Sequence, residues 1–376
     1  MRILFFIHGL PVGGAETATL DNIVALKNKG ADVSLVLYDD RPGFLRDRLV
    51  KTGIPFYSVL PFCSFSPIGK AKRFIFDKLV NVKRRWKKII GKVRPDIVHY
   101  NDYSPLIKDL PFEPSRSVMT FHSDVIRAVK NETEKTKELF LSLAEKGMTF
   151  VSLSDKMSKD ISKIFGTANV VKTGNPVDVQ SIRDQVTDRD KFLSELNIPK
   201  DSFIVGHVGR FHPVKNHERL IDIFGCVRRS KDNAYLVLVG CDCDGRTEKI
   251  RTRACDLGLC DHVRFLGERS DAVGIIGCFD ALLLPSESES FSLVLIEAQI
   301  KGVRCVASDR VPEDVAINGN CFRLPLESSD EDWAKTVLGK ERTGERGDLS
   351  VFDVSAVADR LLGVYDRISG EKQCRD

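Results

Sequence analysis

Near its start the chain reads Ile3-Leu4-Phe5-Phe6-Ile7-His8-Gly9-Leu10-Pro11-Val12-Gly13-Gly14-Ala15-Glu16-Thr17, followed by Ala18-Thr19-Leu20-Asp21-Asn22-Ile23-Val24-Ala25-Leu26-Lys27-Asn28. Five consecutive apolar residues closed by a Gly- and Pro-containing turn have the pattern of a strand buried on both faces. The stretch 18–28 then takes up helical period. Strand, glycine-containing turn and helix in that order form the first step of an α/β fold. The pair Gly13-Gly14 sits at the strand-to-helix junction, where backbone N–H groups can approach an anion and the helix N-terminus favours negative charge. The spacing fits neither Gly-x-Gly-x-x-Gly nor the Walker pattern. From these residues alone a tight turn and a phosphate contact both remain open.

The same alternation continues outward. Short apolar runs at 33–37, 97–100, 117–121 and 149–153 read as further strands, each followed by a helical or loop segment. The pattern breaks at Asn175-Pro176-Val177-Asp178, a turn signal, and a second series follows at 202–208, 234–239, 262–266, 281–284 and 304–307. A closing helix is expected over 354–368. At 376 residues two domains are the natural division. The expected architecture is two Rossmann-like α/β halves, residues 1–179 and 180–352. The segment 353–376 is expected to form a C-terminal helix and tail that packs back on the first half. Ligands of such sheets bind outside the carboxyl ends of the strands, and a cleft between the halves is the default site.

Composition excludes other classes. With 42% hydrophobic and 29% charged residues the chain is neither disordered nor fibrous. No run reaches 18 apolar residues, and the run at 3–7 is too short for a signal-peptide core. Ten cysteines without regular spacing suit reduced thiols in a cytoplasmic protein. Cys241-x-Cys243 and Cys255-x4-Cys260 are poor structural-zinc patterns, so no metal is expected.

Charge is uneven. The net charge is +4, yet residues 70–94 hold eleven Lys/Arg against one Asp, leaving about −6 for the rest. Ile75, Leu79, Val82, Trp86, Ile89 and Val93 recur there at steps of three or four, as on one face of a basic amphipathic helix. Such a helix packs its apolar stripe on a sheet and can also attract an anionic membrane surface. No motif for nucleic acid accompanies it, and none is expected as a partner.

Two stretches of the second half carry chemistry. Val205-Gly206-His207-Val208-Gly209-Arg210-Phe211-His212-Pro213-Val214-Lys215-Asn216 ends a buried strand and sets Arg210 and Lys215 at the sheet edge, where a diphosphate needs cations. Pro285-Ser286-Glu287-Ser288-Glu289-Ser290-Phe291-Ser292-Leu293-Val294-Leu295-Ile296-Glu297-Ala298 follows another strand and enters a helix. Glu289 falls in the turn and Glu297 about one and a half turns into the helix. The N–H groups of Phe291, Ser292, Leu293 and Val294 are expected to serve as donors for phosphate or sugar oxygens, and carboxylates there suit vicinal diols.

Gly13-Gly14-Ala15-Glu16, Val208-Gly209-Arg210 with Lys215-Asn216, Pro285-Ser286 with Glu289 and Glu297, and Ala307-Ser308-Asp309 together resemble, in order and spacing, the family-4 retaining glycosyltransferases of GT-B fold. The resemblance runs through nearly the whole chain. Phe265-Leu266-Gly267-Glu268-Arg269-Ser270-Asp271 and Ser308-Asp309-Arg310-Val311-Pro312 look most like enzymes of bacterial exopolysaccharide and capsule assembly. The family implies an α/β fold of two Rossmann-like domains facing each other across a cleft, the first for the acceptor and the second for a nucleotide sugar.

It further implies that Glu297 holds the donor ribose and Glu289 a hydroxyl of the transferred sugar, with Arg210 and Lys215 on the diphosphate. His122, in Thr120-Phe121-His122-Ser123-Asp124, would face the donor sugar, Gly14 would let its loop close on the phosphate, and loop contacts up to Arg269 would read the base. No cofactor or metal is implied, the nucleotide sugar being a co-substrate. The acceptor would be lipid-linked or polysaccharide, met by a protein bound peripherally to the inner face of the plasma membrane.

Ser290 and Ser292 depart from the family, which commonly has glycines there. Serines leave the backbone donors available, but a positive φ suits them less. Asp242-x-Asp244 is read as a loop feature. A nucleotide-sugar epimerase or phosphorylase of the same architecture, and a non-catalytic nucleotide-sugar-binding scaffold, are the competing readings.

Overall fold

The computed structural model describes residues 1–11, 13–61, 82–102, 112–130, 133–167, 169–242, 245–339 and 348–370. Val12, Cys243, Asp244 and residues 70–81 of the basic segment lie outside the described residues. The chain divides into two compact units. One comprises Met1–Val177 and the chain from Ser350 onward, and the other Asp178–Leu349, so the breaks fall two and three residues before those drawn from the sequence pattern.

The first unit runs β1 (Arg2–Ile7), α1 (Gly14–Asn28), β2 (Asp32–Asp40), α2 (Phe44–Lys51), β3 (Phe56–Pro61), α3 (Val82–Val93), β4 (Ile97–Asn101), β5 (Ser117–Thr120), α4 (Val125–Lys130), α5 (Glu134–Glu145), β6 (Thr149–Ser152), α6 (Asp155–Phe165) and β7 (Val170–Lys172). Its strands form one sheet in the order β3-β2-β1-β4-β5-β6-β7. All pairs are parallel, with Ile3 beside both Val33 and Ile97. Ile3, Phe5 and Ile7 of β1 enter the core with Leu20, Ile23 and Leu26 of α1.

The second unit runs α7 (Val179–Asp184), α8 (Arg189–Glu195), β8 (Phe203–Val208), α9 (His217–Ser230), β9 (Ala234–Val239), α10 (Arg246–Asp256), β10 (Val263–Phe265), α11 (Ala272–Ile276), β11 (Ala281–Leu284), α12 (Leu293–Ile300), β12 (Arg304–Ser308), β13 (Cys321–Leu324) and α13 (Asp330–Leu338). The sheet order is β10-β9-β8-β11-β12-β13, again parallel throughout. Leu220, Phe224 and Val227 of α9 and Trp333 and Val337 of α13 cover its core. Phe279 lies against Gly206 in β8, where a Cβ would occupy the ring's place.

The last helix, α14 (Val354–Ser369), belongs to the first unit. Val177 donates to the Phe352 carbonyl at 2.7 Å, and Asp353 caps α14 by accepting from Ser355 N at 2.8 Å. Val357, Leu361, Val364 and Tyr365 then bury in the same core as α1.

One expectation is corrected. Cys255 and Cys260 form a disulfide across the turn after α10 rather than two reduced thiols; Leu257, Gly258 and Leu259 bring the chain back sharply enough for the two to meet. No described helix is long and apolar enough to cross a membrane.

Candidate active site

In each unit the strand order reverses between two central neighbours, β1 and β4 in the first and β8 and β11 in the second. Loops leaving such neighbours diverge and open a crevice at the strands' carboxyl ends. The sequence candidates follow β1 and β5 in the first unit, and β8, β10 and β11 in the second.

In the second unit the loop after β8 turns at once. Gly240, after β9, has no room for a Cβ, which would run into the Gly209 carbonyl, so glycine lets the two loops cross. Asn216 in the left-handed region (φ 55°) ends the turn and opens α9. Glu287 N donates to the Val214 carbonyl at 2.8 Å, which ties the loop after β11 to the loop after β8.

Across that tie Lys215 Nζ meets Glu289 Oε1 at 2.6 Å. Ser286 Oγ donates to the same oxygen at 2.7 Å, and Ser308 Oγ donates to the Ser286 carbonyl at 2.5 Å. Ser286 and Ser308 are fully buried, so the hydroxyl that holds Glu289 sits on a main chain that Ser308 pins in turn. Arg210 is exposed and makes no side-chain hydrogen bond among the described residues.

Phe291 buries and anchors the turn, while Ser290 stands beside it. Ser292 takes φ 81° as N-cap of α12, in the left-handed region that glycine tolerates and serine does not. Its hydroxyl is buried with no partner among the described residues and does not cap the helix, leaving the first N–H groups, at Leu293 and Val294, open to an anion. Glu297 is half-buried with no hydrogen-bond partner among the described residues, and burial pushes its carboxyl up to about 7. A partly buried carboxyl without a protein partner is suited to accept hydroxyls of a ligand.

Arg269 is not part of this cluster. It forms a bidentate pair with Asp271, at 2.7 and 2.6 Å, on the loop after β10. Asp242 accepts from Arg246 N at 2.8 Å and Thr247 N at 2.9 Å, acting as a cap for α10.

Beneath the cationic loop lies a histidine pair that pattern reading missed. His207 and His217 rings meet edge to face at 4.7 Å, and His217 stacks on Phe211 at 4.4 Å. Burial lowers their pKa values to about 4 and about 2, so both are neutral near pH 7. His207 Nδ1 donates to the Leu283 carbonyl at 2.9 Å. Only one histidine of the pair lies in a strand and the other opens a helix, a relation that no spacing encodes.

In the first unit Gly13 is the N-cap of α1 and Gly14 its first residue, with no side-chain cap. His122, two residues past β5, accepts no role from sequence neighbours alone. Its backbone N donates to Asp102 Oδ1 at 2.6 Å, and its Nε2 lies 3.3 Å from Asn101 Oδ1 and 3.5 Å from Thr19 Oγ1. Burial lowers its pKa. Among the described residues no three His, Cys, Asp or Glu side chains gather as metal ligands.

Comparison with known proteins adds the family. The family model described as Glycosyltransferase Family 4 matches residues 12–181, and that described as Glycosyl transferases group 1 matches residues 188–337. The chain is 31% identical to EpsF of Bacillus subtilis over 228 residues, 56% of this chain and 57% of EpsF. The chain thus spans little more than half the length of that relative. It is 24% identical to the capsular polysaccharide biosynthesis glycosyltransferase CapH of Staphylococcus aureus, over 97% of this chain and 98% of CapH. The crystal structure of HepE of Anabaena in complex with UDP-glucose superposes with a TM-score of 0.72 over 99% of each chain, at 19% identity, a likeness of fold. Two family matches that together take in most of the sequence, on two parallel sheets that share one strand order over six strands, place this chain among the family-4 glycosyltransferases of GT-B fold.

Proposed function

We propose that the protein is a retaining glycosyltransferase that moves a sugar from a nucleotide diphosphate sugar, UDP-linked by preference, to a lipid-linked or polysaccharide acceptor of a bacterial surface glycan. The observation that carries this reading is the Lys215–Glu289 pair, set beside the open N-terminus of α12 and on the same loop-helix unit as Glu297. Glu297 accepts ribose hydroxyls, Glu289 a hydroxyl of the transferred sugar, and Phe291 to Val294 offer N–H groups to phosphate oxygens. Arg210 and Lys215 neutralise the charge that grows on the diphosphate as the glycosidic bond breaks. Transfer then occurs on the face the leaving group departs from, with its phosphate taking the acceptor proton, so no metal or further cofactor enters.

In the first unit the Gly13-Gly14 turn and His122 are assigned to phosphate and transferred sugar. Arg269, paired with Asp271, is released to a base only by exchanging that partner. The capsular role in CapH's name and the UDP-glucose in HepE support the substrate classes. Peripheral attachment to the inner membrane face is assigned to the basic segment 70–94. On α3, Lys87, Lys88 and Lys92 are exposed while Trp86 buries edge-on against Phe6 at 5.3 Å.

The test is incubation with a panel of UDP-sugars and polyprenyl-diphosphate-linked glycans, the product's anomeric configuration read by NMR. Transfer that keeps the donor's α configuration is expected. An inverted product, phosphate-dependent release, or epimerised donor without acceptor would overturn it.

A further inference from the structure

Around His122 the first unit builds a small buried polar cluster from three separate elements. Thr19 lies in the second turn of α1, Asn101 is the last residue of β4, and His122 follows β5. Thr19 and Asn101 are 1% and 6% exposed. Thr19 Oγ1 has two acceptors in reach, the Ala15 carbonyl at 2.8 Å and Asn101 Oδ1 at 3.3 Å. The hydroxyl has a single proton, and the helix carbonyl, closer by half an ångström, takes it. Thr19 Oγ1 therefore turns lone pairs toward His122 Nε2, as Asn101 Oδ1 does. A ring nitrogen facing two acceptors must carry the proton.

We infer that Asn101 and Thr19 are positioning residues that fix the His122 imidazole in its Nε2–H tautomer and in one rotation about its ring axis. The inference rests on the reading of His122 as a group that meets the transferred sugar. The backbone is fixed in the same way, since His122 N is held by Asp102, the neighbour of Asn101, at 2.6 Å. Asp102 N in turn donates to the Thr120 carbonyl at 2.8 Å. Asn101 and Asp102 thus grip one residue by its side chain and its main chain. The Asn101 Nδ2 group is left as a buried donor without a partner among the described residues. The opposite amide orientation would face that nitrogen to the ring and demand the Nδ1–H tautomer, so the two arrangements are distinguishable.

The test uses the full chain labelled with 15N-histidine, His122 being assigned by the resonance lost in His122→Gln. Long-range 1H–15N correlation at pH 7.5 is expected to show Nε2 protonated, and Asn101→Leu to lose that single form while Asn101→Asp, which keeps the oxygen, retains it. With UDP-sugar and acceptor, Asn101→Leu is expected to lower kcat on the order of tenfold to a hundredfold at unchanged donor KM, and Asn101→Asp to recover most of it. Thr19→Val, which keeps the volume and removes the acceptor, is expected to weaken the Nε2–H form in part. An Nδ1–H tautomer in the wild type, or an unchanged tautomer in Asn101→Leu, would overturn the inference. Wild-type turnover in His122→Gln would instead overturn the substrate role of His122, and the NMR result distinguishes the two failures.

Discussion

Lys215 and Glu289, 74 positions apart, close a 2.6 Å ion pair where the order of the second sheet's strands reverses. The pair is mostly sheltered, with side-chain exposures of 22% and 9%. Each charge satisfies the other, so on the proposed roles a diphosphate would compete for Lys215 and a sugar hydroxyl for Glu289. Lys215→Ala and Glu289→Ala are each expected to lower turnover on the order of 100-fold. The double variant should lose less than the product of the two, because residues in contact are not additive. Steady-state kinetics on the four proteins of the cycle measure this.

Ser292 holds a conformation that costs an L-residue roughly 1–2 kcal/mol, and its hydroxyl recovers none of it. Ser292→Gly is expected to stabilise the protein by about 1 kcal/mol after the entropy of the new glycine is subtracted. Urea unfolding checks the value, and a loss of stability would show that the serine is held by a contact outside the described residues.

Burial raises the Glu297 carboxyl from 4.5 to about 7, so the folded state binds this proton more tightly than the unfolded chain. Its contribution to stability is therefore fullest below about pH 4.5 and is lost as pH rises through about 7. If Glu297 holds the ribose as proposed, nucleotide binding runs the other way, because only the carboxylate accepts both hydroxyls. Affinity for the donor nucleotide should rise from pH 6 to 8 in the wild type and stay flat in Glu297→Gln, as read by calorimetric titration. Equal pH profiles for the two proteins would remove Glu297 from the ribose.

His99 is buried between two hydroxyls, Tyr365 Oη at 2.6 Å from Nδ1 and Thr120 Oγ1 at 2.7 Å from Nε2. Burial lowers its pKa to about 3, so the neutral ring needs one donor and one acceptor. Tyr365→Phe leaves one ring nitrogen unsatisfied and is expected to cost about 1–3 kcal/mol. Equilibrium unfolding followed by circular dichroism measures it, and a cost below about 0.5 kcal/mol would mean that apolar packing alone holds α14 on the first unit.

The central strands were legible because they are buried on both faces and read as unbroken apolar runs; 3–7 and 281–284 are examples. The strands that pattern reading omits are β3, β7 and β13, all at sheet edges. β7 is Val-Val-Lys and β13 is Cys-Phe-Arg-Leu, half-buried segments too short to show a period. Of the candidate site residues, Glu289, Arg210 and Lys215 could be picked out because charge beside a strand end is visible along the chain, and Glu297 by its place in the helix that follows. Asn101 and Thr19 could not, since their meeting with His122 joins distant segments, and although Ser286 and Ser308 stand in quoted motifs, the bond between them arises only in the fold. The concern over Ser292 was legible in its departure from glycine, and the backbone bears the positive φ there. Cys255 and Cys260 carry no such mark, because a six-residue turn that joins two thiols looks like any other helix end.

The central claim is a metal-independent nucleotide-sugar site on the second unit, and thermal unfolding with UDP, GDP, ADP and dTDP and their sugar conjugates, in chelator, tests it most directly. Ligand at a hundredfold excess over its Kd stabilises by about 2.7 kcal/mol, a resolvable shift. The expected result is stabilisation by one base, UDP and its conjugates, that disappears in Glu297→Ala. No shift with any nucleotide, or an equal shift in wild type and Glu297→Ala, would contradict it.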